Sequence, residues 1–241
     1  MKFTRSVSLL AVILLTGFGG QVRSDEVKEK PLNAPHNVKV QVRMEGPYTA
    51  DVPLQVVCYF KYTPEGAKRM KGAPVELDKH LGGVIASLRE RGEFVGDQLE
   101  TILIIPPKDS IKAKALLLVG LGDEADLSLK LMEAVGRVAL READRLGVSH
   151  VAFAPLIRDQ GNSKISTGEV GRVVVRGMLL AYDTEKRLQK EGLSKDFTLE
   201  QWNVEAGSAY FDDTVGGVQK AIGEADKAIK DRSADPLIKG R

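Results

Sequence analysis

Cysteine, tryptophan and histidine are scarce in this chain of 241 residues, which contains one Cys, one Trp and three His. A single cysteine, Cys58, excludes a disulfide within the chain. Its neighbours in residues 54–60 are mostly apolar, which predicts a buried and unreactive thiol, because reactive cysteines need an electropositive and accessible setting. His36, His80 and His150 have neither an i, i+4 pairing nor a cysteine partner, so the sequence does not predict a zinc site. No cofactor is expected.

The chain also lacks a long basic run, an internal repeat and a low-complexity tract. It has 35 Lys and Arg residues against 33 Asp and Glu residues. Three of the basic residues lie in residues 1–24, so the remainder has 32 basic and 33 acidic residues and a net charge of −1. A nearly neutral surface offers no electrostatic footprint for nucleic acid or for anionic lipid, and neither is expected as a partner.

The first 24 residues have the pattern of an export signal. Lys2 and Arg5 precede an apolar stretch over residues 7–18, which is too short to span a bilayer with any margin. Small residues follow, and the residues before Asp25 suit signal peptidase. We expect cleavage between Ser24 and Asp25 and a periplasmic or secreted mature chain that does not contact the membrane. The alternative is a signal that is retained as a membrane anchor.

A continuous apolar run over residues 114–122, which ends in a Gly-x-Gly turn, dominates the mature chain. Such a run is typical of a strand that is buried on both faces of a sheet, because helices cover it from each side. A helical pattern over residues 126–146 and a second apolar run over residues 148–157 follow it. The order strand, helix, strand predicts an α/β fold with a crossover connection.

The remaining pattern divides the chain into a flexible polar leader over residues 25–37, a domain over residues 38–210, and an amphipathic helix with a tail over residues 211–241. The alternation of apolar and polar residues predicts an outer strand over residues 38–43. Further strands are predicted over residues 54–60, 101–105 and 202–204. A helical period predicts helices over residues 77–92 and from a capping box at 166–169 to about residue 182. Residues 63–74 are predicted to be a loop, and Gly177 is expected to pack closely against the sheet. The last helix either docks on this domain or faces a partner.

The turn after the central strand, at Gly120 and Gly122, formally matches the G-x-G-x-x-A dinucleotide fingerprint. Asp123 and Glu124, however, occupy the place where a pyrophosphate approaches the helix, and no acidic residue ends the next strand. A tight turn is therefore the favoured interpretation. Because no G-x-S-x-G elbow and no distinctive carboxylate pair occurs, no catalytic residue is predicted.

Four segments carry a family resemblance. They are LDKHLGG at residues 77–83, GEFVG at 92–96, LLLVGLG at 116–122 and GMLLAYDTEK at 177–186. In order and spacing, over about residues 38–187, they resemble the N-terminal domain of the leucyl aminopeptidase family of two-metal exopeptidases. The resemblance implies a three-layer α/β/α, macro-domain-like mixed sheet in a domain that serves regulation and hexamer assembly.

The catalytic signatures of that family, NTDAEGRL and TFDSGG, do not occur in this sequence. The resemblance therefore carries over no metal ligand and no catalytic position, since a two-metal site needs a cage of such ligands. We expect an exported, stand-alone accessory domain that is a non-catalytic binding or assembly module. Its partners would be further copies of itself or a separate aminopeptidase catalytic chain.

A crevice at the carboxyl ends of the strands is the expected binding site, because open α/β sheets bind ligands there. The predicted lining comes from two loops and comprises Gly120, Gly122, Asp123, Gly161, Asn162 and Ser163. Two other functions are kept as alternatives. One is the binding of a nucleotide or ADP-ribose, as in macro domains, and the other is aminopeptidase-related activity through a separate catalytic partner.

Overall fold

The computed structural model describes residues 27–238, and the predicted export signal lies outside them. One sheet of seven strands forms in the order β1-β2-β7-β6-β3-β5-β4. The five inner strands are parallel, and the edge strands β1 and β4 are antiparallel to their neighbours. The strands are β1 (Glu29–Asn33), β2 (Lys39–Arg43), β3 (Leu54–Tyr59), β4 (Thr101–Ile104), β5 (Ala115–Gly120), β6 (His150–Ala154) and β7 (Gln201–Glu205).

Helices cover both faces of this sheet. They are α1 (Pro64–Arg69), α2 (Ala73–His80), α3 (Val84–Glu90), α4 (Leu129–Leu146), α5 (Thr167–Lys190) and α6 (Phe211–Lys230). The core on one face contains residues of α4, α5 and α6, and the core on the other contains residues of α2 and α3. The predicted α/β fold with a three-layer mixed sheet is confirmed. Within residues 27–238, no helix is both long enough and apolar enough to cross a membrane.

The apolar run at residues 114–122 forms the buried centre of the sheet, as predicted. All six residues of β5 are buried, and so are all six residues of β3, its parallel neighbour. A strand inside a parallel sheet meets helices on both faces, so it has no position at which a polar side chain reaches water. This is the physical reason why the run contains no alternation.

Two glycines allow α4 and α5 to pack backbone against backbone. A Cβ atom at Gly136 would lie 2.1 Å from the carbonyl oxygen of Val174, and one at Gly177 would lie 2.1 Å from that of Glu133. Close packing at Gly177 is therefore confirmed, but its partner is α4, whereas the sequence suggested the sheet. The serine half of the predicted capping box is present, since Ser166 Oγ accepts from the backbone N–H of Glu169 at 3.1 Å.

The apolar stripe of α6 docks on this domain. Val218, Ala221 and Ala225 are fully buried in the same core as α5. A Cβ atom at Gly217 would lie 1.9 Å from the carbonyl oxygen of Gly168, so this helix also approaches α5 very closely. Docking within the chain, one of the two outcomes considered for this helix, is what the structure shows.

Two predictions near the beginning of the domain differ from the structure. The leader at residues 25–37 was expected to be flexible and without regular structure, yet Glu29–Asn33 forms β1 and pairs with β2. As a result β2 is an inner strand, although its alternating sequence suggested an outer one. An edge strand needs hydrogen bonds along one side only, so it tolerates the proline and the charges that obscured β1 in the sequence.

Two further differences concern turns. Residues 63–74 contain α1 and the beginning of α2, because Thr63 Oγ1 accepts from the backbone N–H of Gly66 at 2.9 Å and Pro64 occupies the first helical position. The single helix predicted over residues 77–92 is divided between α2 and α3. Gly82 and Gly83 have φ of +70° and +85°, a left-handed conformation that ends a helix.

Candidate functional site

An apolar crevice of about 280 Å³ lies at the carboxyl ends of β6 and β7. We call it the β6–β7 crevice. Its apolar wall is formed by Phe153 and Ala154 at the end of β6, Val204 and Ala206 at the end of β7, and Val170 in the first turn of α5. Parallel strands that end at one edge leave a depression between the helices that follow them, which is where open α/β sheets bind ligands.

Arg158 is the basic residue of the crevice, and it already has partners. Its Nη1 donates to the carbonyl oxygen of Asn162 at 3.2 Å, and its Nη2 donates to that of Ile165 at 2.7 Å. The guanidinium carbon lies 5.8 Å from the ring centre of Tyr210, which also lines the crevice. These contacts of Arg158 therefore stabilise the conformation of the connection between β6 and α5.

Asp159 is an acidic residue at the same wall and lies at the amino end of α2. Its carboxylate accepts from the backbone N–H of Ala73, and its carbonyl oxygen accepts from the N–H of Lys71 at 3.0 Å. Partial burial raises the pKa of the Asp159 carboxyl, and this outweighs the lowering by the Ala73 hydrogen bond and by Lys71. The crevice is thus lined by an acidic residue, Asp159, whose burial is only partly offset by the Ala73 hydrogen bond and by the charge of Lys71.

Glu205, the last residue of β7, is the most unusual group at the crevice. It is 7% exposed, and neither of its carboxyl oxygens has a hydrogen-bond partner of good geometry. Burial raises the pKa of Glu205 well above its ordinary value, and neighbouring Glu45 raises it further, while Gln55 and Arg43 lower it. The site therefore favours the neutral form of this carboxyl.

Glu45, which follows β2, is the second carboxyl beside Glu205. Burial raises its pKa too, although Arg43 opposes the effect with its Nε at 3.2 Å from Glu45 Oε1. Together with Asp159, three carboxyl side chains contribute to the lining of the crevice, against the single arginine. Acidic residues thus outnumber basic ones in the lining.

A second, smaller cavity of about 110 Å³ lies at the carboxyl end of β3. Arg89 lines it and is 4% exposed; its Nη2 donates to the carbonyl oxygen of Phe60 at 2.9 Å. The guanidinium lies over the Tyr59 ring at 4.7 Å, and burial lowers the Arg89 pKa. The other basic residues of this cavity form ion pairs, Lys61 with Asp97 and Arg69 with Glu124, each at 2.9 Å.

The structure does not bring the six predicted lining residues together. A Cβ atom at Gly120 would lie 2.0 Å from the carbonyl oxygen of Asp97, and the carbonyl oxygen of Gly122 accepts from the N–H of Lys61 at 2.8 Å. These two glycines therefore form the tight turn that the sequence favoured over a dinucleotide site. Asp123 lines the smaller cavity.

Gly161, Asn162 and Ser163 lie in the connection between β6 and α5, and none of them lines the β6–β7 crevice. Gly161 and Ser163 are exposed. Asn162 is buried and supports the loop, since its Oδ1 accepts from the N–H of Lys164 at 3.1 Å. Arg158 and Asp159, earlier in the same connection, do line the crevice.

Glu45 and Glu205 were also missed. A signal for Glu205 was available, because it is an acidic residue directly after the strand predicted over residues 202–204. For Glu45 no local pattern indicates burial. Its burial depends on the connection between β2 and β3, which a sequence without a period does not reveal.

The histidines and the cysteine occupy structural positions. His36 Nε2 lies 2.9 Å from Asp183 Oδ1, and His80 stacks on Tyr48. Cys58 is fully buried, as predicted, and burial raises the pKa of its thiol. Among residues 27–238, no group of three or more His, Cys, Asp or Glu side chains is arranged to hold a metal ion.

Solved structures first define the class of fold. A macrodomain of Oceanobacillus iheyensis with ADP has 11% sequence identity and a TM-score of 0.54, with 82% of this chain and 98% of that chain covered. A mutant of tomato leucine aminopeptidase has 17% identity and a TM-score of 0.59, with 85% of this chain and 38% of that chain covered. These likenesses show that the chain has a macro-domain-like fold.

Sequence comparison then gives the family. The family described as "Cytosol aminopeptidase family, N-terminal domain" matches residues 56–191, so the chain belongs to this family and the predicted resemblance is confirmed. A probable cytosol aminopeptidase of Alkaliphilus oremlandii is 29% identical over 143 residues, which are 57% of this chain and 28% of the relative. A second from Thermosynechococcus vestitus is 24% identical over 130 residues, which are 54% of this chain and 25% of the relative. The chain thus spans about a quarter of the length of these curated relatives.

Proposed function

We propose that this chain is a non-catalytic binding module, and that the β6–β7 crevice takes a small molecule with an apolar body and a hydrogen-bond-donating group such as an amine. The observation that carries the proposal is the lining itself. Apolar residues make up most of the lining, and the acidic residues Glu45, Asp159 and Glu205 are part of it.

Size and charge support this class of ligand. A volume of about 280 Å³ is near the lower end of the range for small-molecule sites. An amine brings N–H donors to acceptors whose pKa values burial has raised, and it would lower those pKa values by favouring the charged form. Two N–H groups of Arg158 already donate to carbonyl oxygens of its own loop, whereas its buried Nε–H has no partner.

Calorimetry with leucinamide tests the proposal, because this probe combines an apolar side chain with an amine. We expect saturable binding to the wild-type chain from Asp25 onward, and at least tenfold weaker binding to Ala206→Phe, which fills the crevice. Ala86→Phe, on the exposed surface of α3, is the matched control and should bind like the wild type. Equal binding by the wild type and Ala206→Phe, or no heat from the wild type, would contradict the proposal.

A nucleotide is the second candidate ligand, and the likeness to a macrodomain solved with ADP is the observation that favours it. A diphosphate in this crevice would face the carboxyls of Glu45 and Asp159, and like charges repel. We therefore expect ADP to bind more weakly than leucinamide in the same calorimeter. Tighter binding of ADP would make the nucleotide the better assignment.

We also propose that the chain is exported and cleaved between Ser24 and Asp25. The charge and apolar pattern of residues 1–24 supports this. Expression of the full chain in a bacterium, followed by N-terminal sequencing of the periplasmic fraction, tests it. The expected N-terminus is Asp25, and a full-length chain retained in the membrane would contradict cleavage.

Participation in aminopeptidase activity through a separate catalytic chain is the alternative function. Membership of the cytosol aminopeptidase family supports it, as does the fact that the curated relatives extend well beyond the part that this chain matches. Affinity capture with the tagged mature chain would detect such a partner. Recovery of an active aminopeptidase would favour this alternative over a stand-alone module.

A further inference from the structure

The two edges of the sheet are protected very differently. At the β1 edge, Pro31 has no N–H to offer, and Glu29 and Lys30 are charged and exposed. Proline and charge are the devices with which proteins prevent an edge strand from pairing with another chain. At the β4 edge, the sequence TILII over residues 101–105 contains neither proline nor charge.

The backbone of β4 is available on its outer side. In the part of the chain that the structure describes, β4 pairs with β5 and with no other strand. Gly120 donates its N–H to the carbonyl oxygen of Glu100 at 2.8 Å, in line with the register of the ladder. Because antiparallel residues alternate between inward and outward hydrogen bonding, the backbone groups of Thr101 and Leu103 point away from β5.

Apolar side chains flank the free edge. Ile105, directly after β4, is 72% exposed, the largest value among the exposed large apolar residues between 27 and 238. Leu99, just before the strand, is 37% exposed and has a positive φ of 62°. A partner strand that lies along β4 would cover both of these side chains.

The charges around β4 indicate which partner fits. Asp97, which pairs with Lys61, and Glu100 precede the strand, and Lys108, Asp109 and Lys112 follow it, so the first end keeps a net charge of −1 and the second a net charge of +1. Neither Lys108 nor Lys112 forms an ion pair within residues 27–238. When two copies of β4 run antiparallel, the acidic end of each copy meets the basic end of the other, and a parallel arrangement would place like charges together.

We propose that β4 pairs antiparallel with β4 of a second copy of this chain, so that two seven-stranded sheets join across a two-fold axis. Such an interface is isologous, and its backbone hydrogen bonds are those of strand addition. Because the strand is short, most of the specificity comes from the flanking charges and from Leu99 and Ile105. The expected dimer is reversible, with a dissociation constant of roughly micromolar size.

Sedimentation equilibrium of the chain from Asp25 onward, which contains every helix and strand described, tests the proposal. Thr101→Pro removes an outward N–H, and Ile105→Asp places an acid at an exposed position beside the partner's acidic end. We expect each to weaken the dimer at least tenfold with unchanged circular dichroism. Val75→Asp, an equivalent change at an exposed apolar residue of α2, is the control and should leave the dimer intact.

Charge reversal tests the antiparallel direction. Lys108→Glu and Lys112→Glu should each weaken the dimer, because each would place an acid beside the partner's acidic end. A wild-type chain that stays monomeric at about 0.1 mM would overturn the proposal. So would a dimer that Thr101→Pro and Ile105→Asp leave unchanged, or one that neither lysine reversal weakens. A monomer that instead captures a different protein through β4 would also overturn pairing between copies.

Discussion

Replacing Glu205 by Gln should stabilise the protein at neutral pH, because it removes an acid from a place that disfavours charge. The structure leaves both carboxyl oxygens without a hydrogen-bond partner of good geometry and sets Glu45 beside them. Glutamine has the same shape and cannot ionise. It therefore removes the penalty that the raised pKa places on the folded state near pH 7, which is about 1.4 kcal/mol for each unit by which the pKa is raised, up to the working pH.

The gain should depend on pH in a defined direction. The pKa of Glu205 is raised in the folded state, so its contribution to stability is fully present below the unfolded pKa of about 4.3 and is lost as pH rises through the folded pKa. Between those two values the wild type loses up to about 1.4 kcal/mol per pH unit relative to Glu205→Gln. Near pH 4, where the carboxyl is protonated in both states, the two proteins should differ little.

Urea unfolding at several pH values measures this difference directly. Glu90→Gln, at an exposed residue of α3, is the control and should change stability by less than about 0.5 kcal/mol at every pH. If Glu205→Gln proves equally destabilising from pH 4 to pH 8, the carboxylate would be charged and well solvated. That result would contradict the conclusion that Glu205 lies in a buried site that disfavours its charged form. It would also weaken the proposal that the crevice binds an amine.

Three other outcomes follow from the packing. Gly177→Ala should cost about 2–4 kcal/mol in urea unfolding, because its Cβ would lie 2.1 Å from the carbonyl oxygen of Glu133. Gly223→Ala, which meets nothing within 4 Å, should instead stabilise α6 by about 0.5–1 kcal/mol, and equal effects would contradict the close packing. Ser166→Ala should cost about 0.5–2 kcal/mol through loss of the α5 cap, with Ser166→Asp retaining most of the stability. Cys58 should resist a thiol reagent in the native protein and react on unfolding, and rapid native reaction would show that β3 is accessible.

The centre of the fold could be predicted from the sequence because its physical constraint is local. A strand covered on both faces is mostly apolar, and β5 has no polar side chain. The helices α4 and α5 were equally clear, since each buries one apolar face, and the serine at residue 166 also indicated where α5 begins. Where the constraint came from a distant segment, prediction failed. Nothing within residues 29–33 shows that β2 offers an edge for them to pair with.

The sequence indicated a connection near the candidate site, but it did not indicate which residues line the crevice. The carboxyl edge of the sheet follows from strand order, which is why a crevice was expected near the connection between β6 and α5. Which residues of that connection face the crevice depends on the path of the chain. Arg158 turns back to bind carbonyl oxygens of its own loop, and Asn162 is buried as a support. Loop paths of this kind are set by tertiary contacts that have no period in sequence.

The measurement that tests the central claim most directly is the hydrolysis of leucine anilide by the purified mature chain with manganese. The sequence lacks the family signatures that supply the metal ligands, so we expect no turnover above the uncatalysed rate. Turnover that a chelator abolishes, and that manganese restores, would contradict the assignment of this chain as a non-catalytic module.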